Sequence, residues 1–529
     1  MNELTFPKTP SHTYYDVAIV GGATSGSAIA WFLATNPDFK GRVLVIEKDP
    51  SLARSATKAS NNCMRQQFAT EINIKIAQFA AEFVKDFRKN LGDDVPEIPI
   101  RNFGYLYLSD NQEFSDILAE DQKLQAANGA GSKILTAQEI AAKYPFFAVD
   151  DILSGCLNTV DEGAFDALGM VESLRKKAIE HGVDYIHNSV VGMKVVETKI
   201  QSITLETGEE LQVGKVVDAA GTRAAQVSRQ AGIDLPIEAR RRYTYIFSVD
   251  DPLSQDLPLT IDPTGVHMRS YGTKDYLVGC PPIIPDAAVD PDDFSYPEDI
   301  WNQKMLPVLK KRVPQFATAK VTESWMGHYE FNTFDHNAIV GPHIEVSNLF
   351  FCVGFSGHGT QQAPACGRAV AELITYGEFR TLDLSALSFD RLARNEPLVE
   401  RALITVADTA KPLLPQAPAL GGEAVHPLLL QGALELPRLL LGRLPQRPCR
   451  RALDILVASV QLASGVDHPA RGAPRLVGNI FNYRGIAVDH VGGTPDFRHG
   501  ALERISEGPD GVHFKVEIAK ACYLRRVPL

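Results

Sequence analysis

Residues 15–47 read YDVAIVGGATSGSAIAWFLATNPDFKGRVLVIE, and this order of residue types decides the class of fold. The apolar run 17–20 is too short for a helix and is bounded at once by Gly21 and Gly22, so it reads as a buried strand. Gly21-Gly22-Ala23-Thr24-Ser25-Gly26 is the turn, 27–34 an apolar helix, and 42–46 (RVLVI) a second buried strand closed by Glu47. A strand–helix–strand unit with an acid 21 residues after its last glycine predicts a dinucleotide site. Gly21 permits the tight turn, and Gly26 lets helix and strand approach closely. Helix amides around Thr24 and Ser25 suit a pyrophosphate, and Glu47 can accept hydrogen bonds from an adenosine ribose. Ala23 stands where the middle glycine of G-x-G-x-x-G is expected, adding one methyl where backbone meets phosphate.

At 529 residues the chain is long enough for two or more domains. A net charge of -11 argues against nucleic acid or an anionic membrane as its main partner. Seven cysteines (63, 156, 280, 352, 366, 449 and 522) form no CxxC pair, which favours a reducing, cytoplasmic setting over a disulfide framework. No secretory signal and no transmembrane segment is expected, and no His/Cys/Asp grouping has metal-ligand spacing. Charge is uneven. Residues 405–529 hold 15 Lys+Arg against 11 Asp+Glu, a net of +4, so residues 1–404 carry 38 minus 53, or -15. That tail is rich in arginine, proline and leucine without clear periodicity and reads as an unassigned extension, disordered or poorly packed.

Further along, 71–91 and 165–181 carry helical apolar faces, and 103–108 alternates as a strand. Strands are expected at 184–187, 190–197, 201–206, 210–213 and 216–221, then an antiparallel set at 242–249, 257–261, 265–269 and 276–279. A helix at 299–312 precedes strands near 320–331, 337–341 and 349–353, and a helix at 362–375 closes this part. Gly221 after VVDAA, and Gly354-Phe355-Ser356-Gly357-His358-Gly359 after LFFCV, repeat the strand-then-glycine arrangement of the opening motif. Three such strand ends predict one cofactor held along its length.

GGATSG with Glu47, DAAG at 218–221, WMGHYEFNTFDHNAIVGP at 325–342 and GFSGHGTQQAPACGRAVAEL at 354–373 resemble the D-amino-acid oxidase superfamily, in its sarcosine oxidase and dimethylglycine dehydrogenase branch. With MRQQF at 64–68 and RRRYTY at 240–245, the likeness extends to the FAD-dependent oxidoreductase domain flavoproteins linked to mitochondrial complex I assembly. It covers roughly residues 14–404. The resemblance implies an α/β (α+β) fold in which a discontinuous Rossmann-like FAD-binding domain (14–98, 150–235 and 325–404) carries an inserted antiparallel-sheet substrate domain (99–149 and 236–324). It implies extended FAD, contacted by Gly21, Gly22, Ala23, Thr24, Ser25, Gly26, Glu47, Lys48 and Gly221, with Val191 against adenine. Gly354, Gly357, His358, Gly359 and Gln361 would lie along the flavin. Sarcosine oxidases hold flavin through a cysteine near Met326; residues 325–331 contain none, so the FAD is expected to be non-covalent. Gln361 stands where those oxidases place a lysine that binds the substrate carboxylate.

Arg65 matches the family arginine that grips a carboxylate, a task suited to its planar fork; the alternative is a surface or phosphate-facing arginine. Arg269 is a second candidate anion contact or a solvent-facing strand residue. Tyr243 and Tyr245 share one face of their strand and either line a pocket or pack the core. His358 either accepts a proton or orders the backbone. The expected function is FAD-dependent dehydrogenation of a secondary or N-substituted amine or amino acid, with hydride passing to flavin N5. Oxygen, an electron-carrier protein or a quinone would take the electrons. The alternative is a flavoprotein assembly or scaffold factor with little turnover.

Overall fold

A computed structural model describes residues 6–283, 286–295, 299–401, 507–508 and 511–512. The chain divides into two compact units, 1–413 and 414–529. In the second, Glu507–Gly508 pairs antiparallel with Gly511–Val512; the remainder of the 405–529 extension lies outside the described residues.

The first unit is built on two large sheets. One has eight strands, with Ile339–Pro342, Leu349–Val353, Glu210–Asp218, Tyr14–Val20, Val43–Glu47 and Asp184–His187 in that spatial order. All but the edge strand Ile339–Pro342 run parallel along this path, as in the register Ile19↔Val217 and Ile19↔Val45. Their near-continuous apolar runs follow from burial on both faces. Lys199–Leu205 and Val190–Val196 extend the sheet antiparallel from Glu210–Asp218. The sequence suggested two strands at 210–213 and 216–221, but one continuous strand spans them. Gly214 does not break it: a Cβ there would sit 2.7 Å from the Asp16 carbonyl, so the missing side chain permits close approach to the opening strand.

Helices Thr24–Thr35, Glu71–Lys85, Ala167–Glu180 and Gly359–Tyr376 contribute to one apolar cluster against this sheet. The helical stretch expected at 71–91 is interrupted at Asp86, after which Phe87–Leu91 forms a separate turn. Helices Thr24–Thr35 and Gly359–Tyr376 cross where Gly367 meets Ala28; a Cβ on Gly367 would lie 2.6 Å from that of Ala28.

The second sheet has nine strands and includes Tyr105–Ser109, Ser154–Asn158, Ile237–Ser248, Leu259–Ile261, His267–Tyr271, Asp275–Cys280 and Lys320–Asn332. Its central feature is the long antiparallel pairing of Ile237–Ser248 with Lys320–Asn332. Tyr243, Tyr245, Phe247, Tyr276 and Phe316 fill its core, over which the turn Trp301–Met305 and the helix Leu306–Arg312 pack. The helix Gln112–Ala127 and the strands Lys133–Thr136 and Ser154–Asn158 have weak periodicity and went unread in the sequence.

Near the end of the described chain, Glu400 is 1% exposed. Its carboxylate accepts from the Ala69 amide at 2.8 Å, Asn73 Nδ2 at 3.1 Å and Thr70 Oγ at 3.4 Å. Glu400→Ala would leave buried donors unmatched and is expected to lower unfolding free energy by about 1–3 kcal/mol in urea titration.

Candidate active site

The carboxyl ends of the parallel strands open onto one cavity of about 420 Å³. The order of strands fixes the order of contacts along it. Asn188–Val191 follow Asp184–His187, Glu47 and Lys48 end the next strand, and Gly21, Ala23, Thr24 and Ser25 end the next. Ala219–Arg223 come after these, and Gly357, His358, Gly359 and Gln361 follow Leu349–Val353. Val191, 54% exposed, stands at the outer end of this row. Arg65 and Tyr243 also border the cavity.

Gly22, Gly26 and Gly354 lie behind the wall and shape it. Gly26 packs so closely that a Cβ would lie 1.9 Å from the Gly21 carbonyl oxygen. Gly21 has φ +103°, and a Cβ there would meet the Ala219 carbonyl at 2.3 Å. The Gly22 amide donates to Glu47 Oε2 at 2.7 Å, and the Asp49 amide donates to Oε1 at 2.7 Å. Glu47 therefore braces the turn while facing the cavity, and burial raises its carboxyl above its ordinary value.

Two helices present their N-termini to this space. Neither Thr24–Thr35 nor Gly359–Tyr376 has a side-chain cap or an acid in its first turn. Their leading amides therefore lack intrahelical acceptors and bear partial positive charge. Uncapped amides, a glycine cradle that any Cβ would fill, and a carboxylate at the second strand end fit an extended dinucleotide carrying a pyrophosphate. Asn62 and Ser356, both in the wall, hold positive φ of 53° and 50°, a cost met at sites where surroundings over-determine the backbone.

Arg65 is 2% exposed. It lies 3.9 Å over the Phe68 ring, and its guanidinium donates to the Gln67 carbonyl and to His358 Nε2, the latter at 2.8 Å. Because guanidinium only donates, His358 Nε2 carries the lone pair and the ring proton sits on Nδ1. Burial first, then the Arg65 charge, pushes His358 well below its ordinary value. A neutral imidazole whose Nε2 is engaged orients Arg65; that atom is not an open proton acceptor. Gln361 Oε1 accepts from the Arg65 amide at 2.8 Å, so Gln361 braces the arginine's backbone. The same loop is fixed by Glu162, which accepts from the amides of Gln66 and Gln67 at 2.6 and 3.1 Å and from Asn158 Nδ2 at 2.9 Å. Burial raises Glu162 to about 7 against those donors.

Of the two readings open for the strand tyrosines the core reading holds for Tyr245, and Arg269 fits neither of its own. Tyr245 is absent from the cavity wall; its ring meets Trp301 at 5.5 Å in the second sheet's core. Tyr243 borders the cavity but belongs to the same core cluster, so the strand's cavity-facing side chains are Arg242 and Thr244. The aromatic face follows burial, and the polar face is left for the cavity. Arg269 is also outside the wall. It is 5% exposed, and it donates to the carbonyls of Ser270 at 2.8 Å and Asn61 at 2.7 Å, tying the 61–62 loop to the second sheet.

Other wall residues escaped the sequence reading. Asn61 accepts from the Thr244 hydroxyl at 3.2 Å, and its Nδ2 lies 2.7 Å from His267 Nε2. Burial pushes His267 down to about 3. Tyr329 packs on Gly357, whose Cβ would meet its ring at 2.5 Å. Glu330 accepts from the Gly354 amide at 3.0 Å, and burial raises it to about 8. Both belong to WMGHYEF, where attention went to the missing cysteine; a charged residue amid an apolar, aromatic strand was the available signal.

Comparison with known proteins accounts for this architecture. The family model described as DAO, FAD dependent oxidoreductase, matches residues 16–373. The chain belongs to this family. It is 34% identical over 424 residues to FAD-dependent oxidoreductase domain-containing protein 1 of Xenopus laevis, covering 74% of this chain and 85% of that protein. Mouse mitochondrial sarcosine dehydrogenase is 24% identical over 384 residues, 70% of this chain and 41% of that protein. The crystal structure of L-proline dehydrogenase from P. horikoshii shares the fold, with TM-score 0.63 and 23% identity over 74% of this chain and all of that one. The chain is thus an FAD-dependent oxidoreductase of the DAO family, with the mixed α/β fold of its relatives. No helix among the described residues is long and apolar enough to cross a membrane, and no group of described side chains could hold a metal ion.

Two outcomes are expected of this DAO-family site. Gly26→Val should abolish flavin retention on gel filtration, because its side chain cannot coexist with the Gly21 carbonyl, whereas Ala23→Gly should retain flavin. For Glu330, the folded-state pKa of about 8 exceeds its ordinary 4.5. Its contribution to stability is therefore complete below 4.5 and is lost as pH rises through about 8. Urea unfolding of Glu330→Gln should vary less with pH across that window than wild type does.

Proposed function

We propose that this protein dehydrogenates a secondary or N-substituted amino acid at the carbon beside the amine nitrogen. The supporting observation is Arg65: a buried guanidinium at the end of the cavity where the Gly357–Gln361 loop closes, with His358 and Gln361 fixing its orientation. A planar cation fixed in this way suits a carboxylate and places the α-carbon of an amino acid at a defined position.

Bound FAD supplies the hydride acceptor, flavin N5. The chain's part is to bind, orient and exclude water. Arg65 holds the carboxylate, and the rings of Tyr105 and Tyr329 wall the space beside it. His358 Nε2 is engaged by Arg65 and does not serve as the base, so the reaction calls for an amine that binds neutral. The uncapped N-terminus of Gly359–Tyr376 offers backbone donors where negative charge accumulates. FAD is held non-covalently. Cys63 is the cysteine in the cavity wall among the described residues, and burial raises its thiol, which keeps it protonated and unreactive. Oxygen, an electron-carrier protein or a quinone takes the electrons.

The test is anaerobic flavin reduction across secondary amines and N-alkyl amino acids, on wild type and Arg65→Met. Wild type should bleach with N-alkyl amino acids, and Arg65→Met should lose about 1.5–3 kcal/mol of binding, roughly tenfold to a hundredfold. Equal reduction by the mutant would remove Arg65 from the site. If no amine bleaches wild type, a flavoprotein assembly or scaffold role becomes the reading to pursue.

A further inference from the structure

Arg242 is a second buried arginine in the same cavity, and the proposed function makes no use of it. It lies on Ile237–Ser248, is 6% exposed, and borders the cavity. Its guanidinium carbon sits 4.7 Å over the Tyr329 ring. The two preceding arginines behave differently. Arg240 pairs with Glu238 at 2.9 Å and Arg241 with Asp293, in half-exposed positions where ion pairs contribute little.

Arg242 is incompletely satisfied. Nη1 donates to the Arg241 carbonyl at 2.6 Å and to Asp286 Oδ1 at 3.0 Å. Nη2 lies 2.9 Å from Asp286 Oδ2 but outside hydrogen-bonding geometry, and Nε has no hydrogen-bond partner. Burying a guanidinium is costly unless its donors are matched, and here Asp286 neutralises the charge while Nε stays unmatched. Asp286 reaches it from a loop and keeps 22% of its side chain exposed.

A short chain of contacts joins Arg242 to Arg65. Arg242 stacks on Tyr329, Tyr329 packs on Gly357, and the adjacent His358 accepts from Arg65. The cavity thus has two fixed cations, linked through Tyr329, Gly357 and His358.

Resting on the reading that this site takes an amino acid, we infer that its substrates carry a second carboxylate, on the N-substituent or the side chain, which binds Arg242 in place of Asp286. Exchanging one carboxylate for another keeps the buried guanidinium neutralised, and the group released is Asp286, the more exposed partner, which can turn to water. A ligand carboxylate approaching from the cavity can also meet Nε, the donor that Asp286 does not reach, and can align with Nη2 for a hydrogen bond that the Asp286 ion pair does not make. A monocarboxylate leaves Asp286 where it is and gains nothing at this end.

The test uses two thioethers that cannot be dehydrogenated at nitrogen, thiodiacetate with two carboxylates and methylthioacetate with one. Each is titrated into the FAD-loaded protein while flavin absorbance is followed, with calorimetry as a second readout. Wild type should bind thiodiacetate at least about tenfold more tightly, the contribution of one charge-assisted contact. Arg242→Gln should erase that preference, bringing thiodiacetate affinity down to that of methylthioacetate in the same variant. Asp286→Ala should tighten thiodiacetate binding and leave methylthioacetate alone, because an internal competitor is gone. Equal affinities in wild type, or a preference that survives in Arg242→Gln, would overturn the inference and leave the amino-acid reading intact. Should Arg242→Gln fail to fold, unchanged thiodiacetate affinity in Asp286→Ala overturns it equally. If neither thioether binds wild type, the amino-acid reading falls and this inference falls with it.

Discussion

Everything at this site depends on a backbone contact with no room for a side chain. Gly26 sits so near the Gly21 carbonyl that a Cβ would lie at 1.9 Å, and Gly21 itself crowds the Ala219 carbonyl. That contact presses helix Thr24–Thr35 onto the end of its strand and points its uncapped amides along the row of strand ends. The next consequence is Ala28 meeting Gly367, which lets the helix Gly359–Tyr376 lie alongside and bring a second uncapped N-terminus to the same space. Two helix dipoles then converge on one cavity. They are tolerable together because that cavity is built for negative charge.

The buried carboxyls in and behind the cavity wall are controlled by what braces them. Burial pushes Glu162, Asp218 and Glu330 toward the neutral form, with the Asp218 charge adding to it at Glu330, and raises them to about 7, 7 and 8. Each remains inside because it receives hydrogen bonds: Glu162 from the 66–67 loop, Asp218 from Ser228 and the Ala220 amide, Glu330 from the Gly354 amide. All three therefore fasten loops that carry wall residues. Arg65 follows the same logic with opposite sign, since its backbone is held by Gln361 and its guanidinium by His358 and Gln67.

The sequence was most legible where one local rule decides the structure. The run from Tyr15 to Glu47 contains its own strand, turn, helix and acid, so the Rossmann-like unit could be read without tertiary information. Repetition of strand-then-glycine at Gly221 and at 354–359 carried that reading to the far end of the cavity. Legibility failed where a period-two pattern left two faces to choose between. In RRRYTY the pattern left the tyrosines open to pocket or core, and the apolar rings go to the core and leave Arg242 and Thr244 for the cavity. Arg269 failed for a related reason, because its carbonyl partners come from its own strand and from a loop roughly 200 residues away. Asn61 lies outside the quoted motifs and Glu330 had no role assigned within its own; only the meeting of the two sheets gives them one.

That meeting divides the labour within the cavity. The parallel sheet faces it mainly with backbone: glycine turns, helix amides and strand ends, which can hold a cofactor but read little of a substrate. The antiparallel sheet and the loop packed on it present side chains instead, among them Arg242, Thr244, His267, Tyr329 and Glu330. Substitutions in the two sets should act on different quantities. Backbone contacts fail as a unit, because one added Cβ displaces a strand end and the amides that follow it. A side chain on a paired strand can change while the Ile237–Ser248 and Lys320–Asn332 ladder keeps its register, since the ladder is made by the main chain. Differences in substrate preference within this fold can therefore accumulate on the antiparallel sheet without disturbing the dinucleotide site.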